Sequence, residues 1–568
     1  MDVENNENKK STAVVRYPTL LGMAYRYKKS NGTWAFGINY IRLVVVMLLM
    51  LVVTWGTISI FLYSFMKHYK KYSNMTFLDA AVMPFDRRGI AEKQGDFDIE
   101  KAEALLKEGD YTAARICLIS GTARSTKNLK GRKMLAEFYL RLMGRPDFAL
   151  QALEIGIPYA LKDLQYVRFY FSILMEESED VKLAAVGKKI LSSPEASTEV
   201  KLYVAMSLGT IYALLGDYQK SDEYLTKNGL QNSLPGVMRL SKNKWEQGRR
   251  DEAIAILKAA VGKVNDVEPI YAMLMSYYAD MGQYDTARQY AVMRSVEKPF
   301  SVSQRIDYLK ILKKTGEDAR VNKELRELYE QNKSNETALL YLANYAADNG
   351  DMELMNKIYN TSIENNYSQA PFTMLMIETL LMRGKSEEAI VIFDEIMKKK
   401  PSWLRRYGGV FGCLRAAAYY GAGNTEMATI LVDELLKKGN IPPRTLIATA
   451  RRFDKMGSKV LAHKILVDAV ERNPRHQLAL TRLVQMEISM GNSTNLDKHI
   501  FKLIQMRRPP RRLIMEAKRS LESDLFIFTT DREKVMNEID VLLKRESDSG
   551  TKVFSDLSDS EEDSILIN

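Results

Sequence analysis

Cysteine, histidine, proline and glycine are all scarce in this chain of 568 residues. It contains two cysteines, four histidines, 15 prolines and 31 glycines. The cysteines stand at 117 and 413, so they form no C-x-x-C pair, and the histidines form no H-x-x-x-H pattern. These absences exclude a disulfide framework and argue against a metal site of cysteines and histidines. Sparse glycine and proline also exclude a collagen-like or wholly disordered chain.

Motifs of nucleotide-binding and hydrolytic sites are missing as well. The sequence has no G-x-x-x-x-G-K-S/T, no strand followed by G-x-G-x-x-G and no nucleophile elbow. Its net charge is +11, but residues 1–71 carry +7 and residues 546–568 carry −6. The remaining basic excess is spread thinly, whereas a nucleic-acid footprint is a clustered patch. We therefore expect no enzyme activity, no cofactor, no bound metal and no nucleic-acid partner.

One long apolar run is present, from 43 to 66, and it holds no charged residue. As a helix it would be about 36 Å long, enough to cross a hydrocarbon core of about 30 Å. Some forty residues precede it and no small-x-small site follows it, which is not typical of a cleaved signal peptide. The sequence predicts a transmembrane helix at 43–66, after a basic aromatic leader (1–42) and before a linker (67–94). The leader is expected either to lie at the level of the lipid headgroups or to form a disordered arm.

The orientation of this helix follows only weakly from its flanks. Four Lys or Arg residues precede the helix closely, and Lys67, Lys70 and Lys71 follow it. The positive-inside rule then favours a cytoplasmic N-terminus. Together with the low cysteine content, this predicts a single-pass protein of a bacterial inner membrane with its C-terminal part outside the cytoplasm. The three lysines after the helix argue against that orientation.

The glycines that are present are periodic. They close one helix-like apolar run and open another at Gly109, Gly144, Gly216, Gly248, Gly282, Gly316, Gly350, Gly384, Gly423, Gly457 and Gly491. The sequence number mostly rises by 34 from one glycine to the next, with one step of 72 and one of 39. A period of this length indicates a repeat architecture.

The side chains around these glycines resemble the tetratricopeptide repeat (TPR), a helix-turn-helix of about 34 residues. Leu208, Gly209 and Tyr212 match its first helix, and Ala389 and Phe393 match its second helix. The resemblance covers residues 95–510 and implies an all-α fold, a right-handed α-solenoid of about twelve TPR-like hairpins. Residues 511–545 are expected to form capping helices, and residues 546–568 an acidic disordered tail.

Two irregularities interrupt the period. The step of 72 lacks its middle glycine near 180, which predicts a distorted repeat. The step of 39 is expected to place its five extra residues in a long basic turn at 398–409. That turn either grips an acidic partner or anionic headgroups, or is only an exposed loop.

The resemblance also implies that first helices line a groove in which partners bind. Counting each glycine as position fifteen, the groove-facing positions give the candidate partner-binding residues Met206, Met273, Lys310, Lys313, Tyr341, Asn344, Tyr420 and Arg451. The Lys and Asn pattern of the carboxylate clamp of co-chaperones is not found. Methionine suits adaptable binding surfaces, although it more often packs in a core.

Two functions fit these observations. The first is a non-catalytic, membrane-tethered scaffold or adaptor that binds proteins or peptides and assists assembly or secretion, resembling the single-span TPR proteins associated with the bacterial translocon. The alternative is a targeting or import receptor at a membrane surface. We expect no fused catalytic domain, because only the segment 511–568 follows the array and it is too short for one.

Overall fold

The computed structural model describes residues 17–19, 22–29, 32–70, 72–439, 441–527, 529–549 and 552–555. The chain divides into two compact units, residues 1–173 and residues 174–568.

The first unit begins with a small antiparallel sheet. Its strands are β1 (Tyr17–Thr19), β2 (Ala24–Lys28) and β3 (Trp34–Ile38), with β2 in the middle. The sequence predicts no strand here, so the all-α fold class holds only outside this sheet. Alternating aromatic residues favour the strands, and the Arg26 guanidinium lies 5.1 Å from the Trp34 ring. Strands as short as these do not stand out as a period in the sequence.

The long apolar helix follows the sheet directly. Helix α1 (Tyr40–Ser64) continues as one π-helical stretch, Phe65–Tyr69. The Asn39 side chain caps its first turn. The segment Tyr40–Tyr69 is long and apolar enough to cross a membrane, with a mean hydropathy of 2.5 in its most apolar part. The helical segment therefore begins before residue 43 and, with its π-helical end, extends beyond residue 66.

Paired helices make up the rest of both units. In the first unit they are α2 (Phe77–Val82), α3 (Arg87–Glu108), α4 (Tyr111–Arg124), α5 (Leu129–Met143), α6 (Pro146–Glu154) and α7 (Leu164–Glu176), the last of which crosses into the second unit. The second unit continues with α8 (Asp180–Ser192), α9 (Thr198–Leu214), α10 (Tyr218–Lys227), α11 (Leu234–Glu246), α12 (Arg250–Ala260), α13 (Glu268–Asp280), α14 (Tyr284–Glu297), α15 (Val302–Lys314), α16 (Asp318–Asn332), α17 (Glu336–Asn349), α18 (Met352–Glu364), α19 (Gln369–Met382), α20 (Ser386–Lys399), α21 (Leu404–Gly421), α22 (Thr425–Lys438), α23 (Pro443–Lys455), α24 (Lys459–Arg472), α25 (Gln477–Met490), α26 (Leu496–Ile504), α27 (Arg511–Glu522) and α28 (Arg532–Ser549). In the first unit α3 pairs with α4 and α5 with α6, and in the second unit consecutive helices from α9 to α26 pair in the same way, which confirms the prediction of a helical-hairpin array.

The periodic glycines all lie in the turns inside these hairpins. Every one of the eleven has a positive φ, a conformation that residues with a Cβ resist. At the missing position the structure places Ser178 with φ 55°. The Glu179 amide still donates to the Leu174 carbonyl at 2.8 Å, as Asp217 donates to Tyr212 at 2.9 Å after Gly216. Ser178 therefore forms the same turn that glycine forms elsewhere.

Small residues on the second helices let the paired helices approach closely. Ala389 and Phe393 of α20 are fully buried, as the repeat pattern requires. Where Ser221 replaces alanine, its hydroxyl donates to the Gly209 carbonyl at 2.6 Å and accepts from Asn243 at 2.8 Å. These two bonds satisfy the buried hydroxyl group.

The five extra residues near 400 do not form the long turn that was expected. They lengthen α21, which begins at Leu404 and runs for 18 residues. Only Lys400 to Trp403 remain between α20 and α21, and Trp403 packs edge-on against Phe411 at 5.7 Å. A helix satisfies its own backbone groups, so a longer helix absorbs the insertion with few unpaired groups.

The C-terminal part of the second unit holds α27, α28 and a short extended segment. Helix α28 runs to Ser549, beyond the boundary at 545 drawn from the sequence. Residues 552–555 lie against the unit and bury Phe554. The greater part of the acidic tail, residues 556–568, lies outside the described residues.

Candidate functional site

The first helices of the hairpins lie side by side in the second unit. Helices α15, α17, α19, α21, α23 and α25 each pack against the next in this series. Their buried sides hold residues such as Leu309, Leu342 and Ile377. We call the side that they leave towards solvent the groove face.

Four of the residues predicted from the sequence are exposed on two adjacent helices of the groove face. Lys310 and Lys313 belong to α15, and Tyr341 and Asn344 belong to α17. The Tyr341 side chain is 47% exposed. The Lys313 ammonium donates to the Asn349 side chain on α17. This cluster offers a partner two cations, an aromatic ring and an amide group.

An acidic residue follows the two lysines along the groove face. Asp348 of α17 is accessible to solvent, yet neighbouring protein surrounds it closely enough that desolvation raises the pKa of its carboxyl group. Lys310 opposes this rise in pKa, and Glu378 on α19 adds to it. A cation from a partner would relieve the repulsion between the two carboxylates.

One ion pair spans three first helices. The Arg452 guanidinium of α23 donates to the Glu378 carboxylate of α19 at 3.0 Å, although α21 lies between these helices. Helix α21 carries three buried alanines, 416 to 418. Helix α21 also carries Cys413. Burial raises the pKa of its thiol overall, although a hydrogen bond with Thr449 and the charge of Arg452 act in the opposite direction. Arg452 therefore lies over α21 on the groove face.

The other predicted residues lie in different surroundings. Met206 and Met273 are half-buried and pack against the hydrophobic core. The half-buried Tyr420 stacks edge-on against Phe453 at 5.5 Å. Much of the surface of these three side chains is therefore packed against other residues of the chain.

Arg451 lines a cleft of about 250 Å³ between α23 and α25. Asp454, Lys459, Arg482 and Gln485 are among the other lining residues, and Arg482 donates to Gln485 at 3.0 Å. The cleft is lined by both apolar and polar side chains, and its charged groups are more often basic than acidic. It extends the groove face towards the C-terminal end of the array.

Asp348 and Arg452 were not chosen from the sequence. Asp348 stands at position thirteen of its repeat, a groove-facing position, so the same count could have found it. Arg452 stands at position ten, which is not among the groove-facing positions of the count. The Arg452 side chain contacts Glu378 by extending over α21, and no local sequence pattern predicts such a contact.

A second cleft, of about 510 Å³, lies between α24, α25 and α26. Its wall holds Glu487, whose side chain is 2% exposed. The His499 ring nitrogen Nδ1 lies 2.9 Å from Glu487 Oε2, and His463 Nε2 lies 3.5 Å from Oε1. Burial would raise the pKa of Glu487, but its hydrogen bonds and charge interactions with the two histidines lower that pKa overall. Among the described residues, no group of three or more acidic, histidine or cysteine side chains could hold a metal ion.

Comparisons with known proteins give fold likenesses only. No protein-family model and no curated protein matches the chain. A solved structure of Naa15/Naa10 bound to HypK-THB is 13% identical, covers 87% of this chain and 80% of its own, and has a TM-score of 0.30. PilF of Pseudomonas aeruginosa is 14% identical, covering 39% and 97% with a TM-score of 0.27. A tetratricopeptide repeat protein from Parabacteroides merdae is 13% identical, covering 50% and 98% with a TM-score of 0.27. TM-scores this low carry no argument about what the chain binds.

Proposed function

We propose that this chain is a non-catalytic scaffold, tethered to a membrane by α1, that binds a protein or peptide partner on its groove face. The observation that carries the proposal is the exposed cluster of Lys310, Lys313, Tyr341 and Asn344 on two adjacent first helices. An exposed tyrosine is typical of the centre of a protein interface, and the polar and basic side chains around it suit the rim of one.

The chemistry of the groove face suggests the kind of partner. Lys310 and Lys313 would contact an acidic group, and Tyr341 would contact an apolar side chain beside it. Asp348 lies next along the face and would contact a basic group. We infer an amphipathic partner segment with separated acidic and basic residues, because complementary charges fix the register of binding.

Site-specific crosslinking in membranes tests the binding surface. A photo-reactive amino acid replaces Tyr341 in the full chain, and the control places it at Val391, which is 59% exposed on the second helix α20. A partner that crosslinks from position 341 and not from 391 supports the groove face. Crosslinking from 391 alone contradicts it.

Binding to that partner, once purified, is then measured with substituted chains. Ala in place of both Lys310 and Tyr341 is expected to weaken binding by more than about tenfold, since central interface residues commonly contribute about 2 kcal/mol or more. Ala in place of Val391 is the matched control. Equal affinities of both variants and the unsubstituted chain would contradict the proposal.

The membrane tether and its orientation need separate tests. Lys in place of Val45, Leu49 and Val53 should release the chain from alkaline-washed membranes, because each charge at the helix centre costs about 2.5–3.5 kcal/mol. We also propose a cytoplasmic N-terminus in a bacterial inner membrane. An alkaline phosphatase fusion after residue 75 should then be active. An inactive phosphatase fusion beside a fluorescent green-protein fusion would reverse the orientation and leave the scaffold proposal intact.

A further inference from the structure

Residues 552–555, Lys-Val-Phe-Ser, lie across the second unit and are held through their backbone. The Lys552 amide donates to the Gly216 carbonyl at 3.3 Å, and the Ser555 amide donates to the Pro509 carbonyl at 3.1 Å. The Arg511 amide donates in turn to the Ser555 carbonyl at 3.1 Å. Bonds of this kind recognise an extended peptide without regard to its side chains.

Two side chains add specificity. The Phe554 ring is 1% exposed and belongs to the core formed with α27 and α28. The Lys552 ammonium donates to the Glu246 carbonyl at 2.7 Å, at the end of α11. A buried aromatic anchor with a basic residue two positions before it is the pattern that this site accepts.

Ion pairs and hydrogen bonds among the surrounding side chains hold the walls of the site, and Arg508 Nε also donates to the Phe554 carbonyl at 3.3 Å. The Glu246 carboxylate accepts from the Tyr218 hydroxyl at 2.8 Å and from Arg508 Nη1 at 2.7 Å. Arg507 Nε donates to the Asp180 carboxylate at 2.7 Å, and both side chains are largely buried. Such pairs shape the site before a peptide enters it, which lowers the cost of binding.

Gly216 makes the closest approach to the bound segment. A Cβ at Gly216 would lie 1.9 Å from the Lys552 carbonyl oxygen. Gly248 has the same positive φ region and the same place in its hairpin, but a Cβ there would meet nothing within 4 Å. The two glycines therefore share the conformational requirement, and only Gly216 lies against the peptide path.

We propose that these elements form a second peptide-binding site, which takes an extended Lys-x-Phe-Ser segment and is filled in this chain by residues 552–555. The site is separate from the groove face and does not rest on the proposed function. A segment joined to its own site competes at an effective concentration of about millimolar. A peptide of the same sequence from another molecule enters only when the chain's own segment is weakened or displaced.

A fluorescent peptide of residues 549–558 tests this site in the full chain, purified in detergent. Phe554→Ala in the chain should raise its affinity for the peptide by about tenfold or more, because the internal competitor is weakened. Adding Gly216→Ala should abolish that gain, whereas adding Gly248→Ala should preserve it. A peptide with Ala at the position of Phe554 should not bind.

A second variant guards against loss of folding in Phe554→Ala. Ser555→Pro removes the amide that donates to Pro509 and leaves the Phe554 ring in place, so it should also raise peptide affinity. If neither variant binds the peptide better than the unsubstituted chain, or if the Ala-substituted peptide binds equally well, the proposal is wrong. Residues 552–555 then only complete the core.

Discussion

Arg452 and Glu378 form an ion pair at 3.0 Å across an intervening helix, although 74 residues separate them in sequence. The contact joins α19 and α23, the first helices of two hairpins that are not neighbours. Both side chains are partly exposed, at 28% and 38%. The pair thus links three consecutive hairpins on the groove face.

A double-mutant cycle should detect this link. Glu378→Arg and Arg452→Glu should each lower the free energy of unfolding, and the double swap should recover part of the loss. We expect a coupling energy of about 0.5–1 kcal/mol at low salt, falling as salt is added. The exposed Lys385–Glu388 pair, within one hairpin, is the control and should couple by only about 0.3 kcal/mol. Denaturant unfolding of the full chain measures both cycles, and a coupling near zero for the first would contradict the link.

Ala389→Trp should destabilise the array. Ala389 is fully buried where the two helices of its hairpin meet, so an indole ring would force them apart. Overpacking of this kind costs about 1–3 kcal/mol or more. Val391→Trp, on the exposed side of the same helix, is the control and should change stability little. Unchanged thermal unfolding of the Ala389 variant would count against the packing described here.

Ser178→Gly should stabilise the second unit. Ser178 holds a φ of 55°, which is costly for a residue with a Cβ and free for glycine. After the entropy that glycine adds to the unfolded chain, we expect a net gain of about 0.5 kcal/mol. Ser193→Gly is the control, because Ser193 has a φ of −74° and should lose stability instead. Equal changes at both positions would show that the left-handed turn carries no cost.

Glu487→Gln should destabilise the chain at neutral pH and much less in acid. The folded-state pKa of Glu487 lies below its ordinary value of 4.5, so its carboxylate contributes full stability above that value. The contribution is lost as the pH falls through the folded-state pKa. At neutral pH we expect a loss of about 2 kcal/mol, since a buried charge-assisted hydrogen bond is removed.

The same cleft supplies the control for this pH dependence. Glu471 is an exposed lining residue, and Glu471→Gln should leave the unfolding free energy nearly unchanged. His463, His499 and Lys502 face Glu487 or line the cleft, and they are the same in both variants. Unfolding in denaturant from pH 7 down to pH 3 gives the two profiles. A constant difference between the Glu487 variant and the unsubstituted chain would contradict the role assigned to that carboxylate.

The helical hairpins were predictable because their causes are local. A glycine in a left-handed turn, a small residue such as Ala389 and an aromatic residue such as Phe393 recur at the same places in successive repeats. The apolar helix α1 was equally clear from an uninterrupted run. The sheet of β1, β2 and β3 was missed because short strands with basic residues do not stand out from a polar leader.

Within the candidate site, counting positions from each glycine identified the exposed cluster, but it did not identify the charged residues beside that cluster. Lys310, Lys313, Tyr341 and Asn344 face solvent because helix periodicity alone decides which side of a first helix is exposed. The same count does not include Arg452 among the groove-facing residues. Whether a long side chain can extend over an adjacent helix depends on small residues in another repeat. The sequence of a single repeat therefore does not predict such a contact.

The contacts among Gly216, Glu246, Arg508 and the segment around Phe554 could not be predicted from the sequence. The sequence by itself determined the helices, the hairpin turns and the apolar span, because each depends on side chains within a few turns of one another. Only the tertiary structure decided that Ser178 would take a glycine's conformation, that the extra residues near 400 would lengthen α21, and that Phe554 would be buried beside Arg508 and Arg511. The burial of Phe554 depends on contacts between segments far apart in the sequence, which satisfy buried backbone and charged groups that no local pattern can pair.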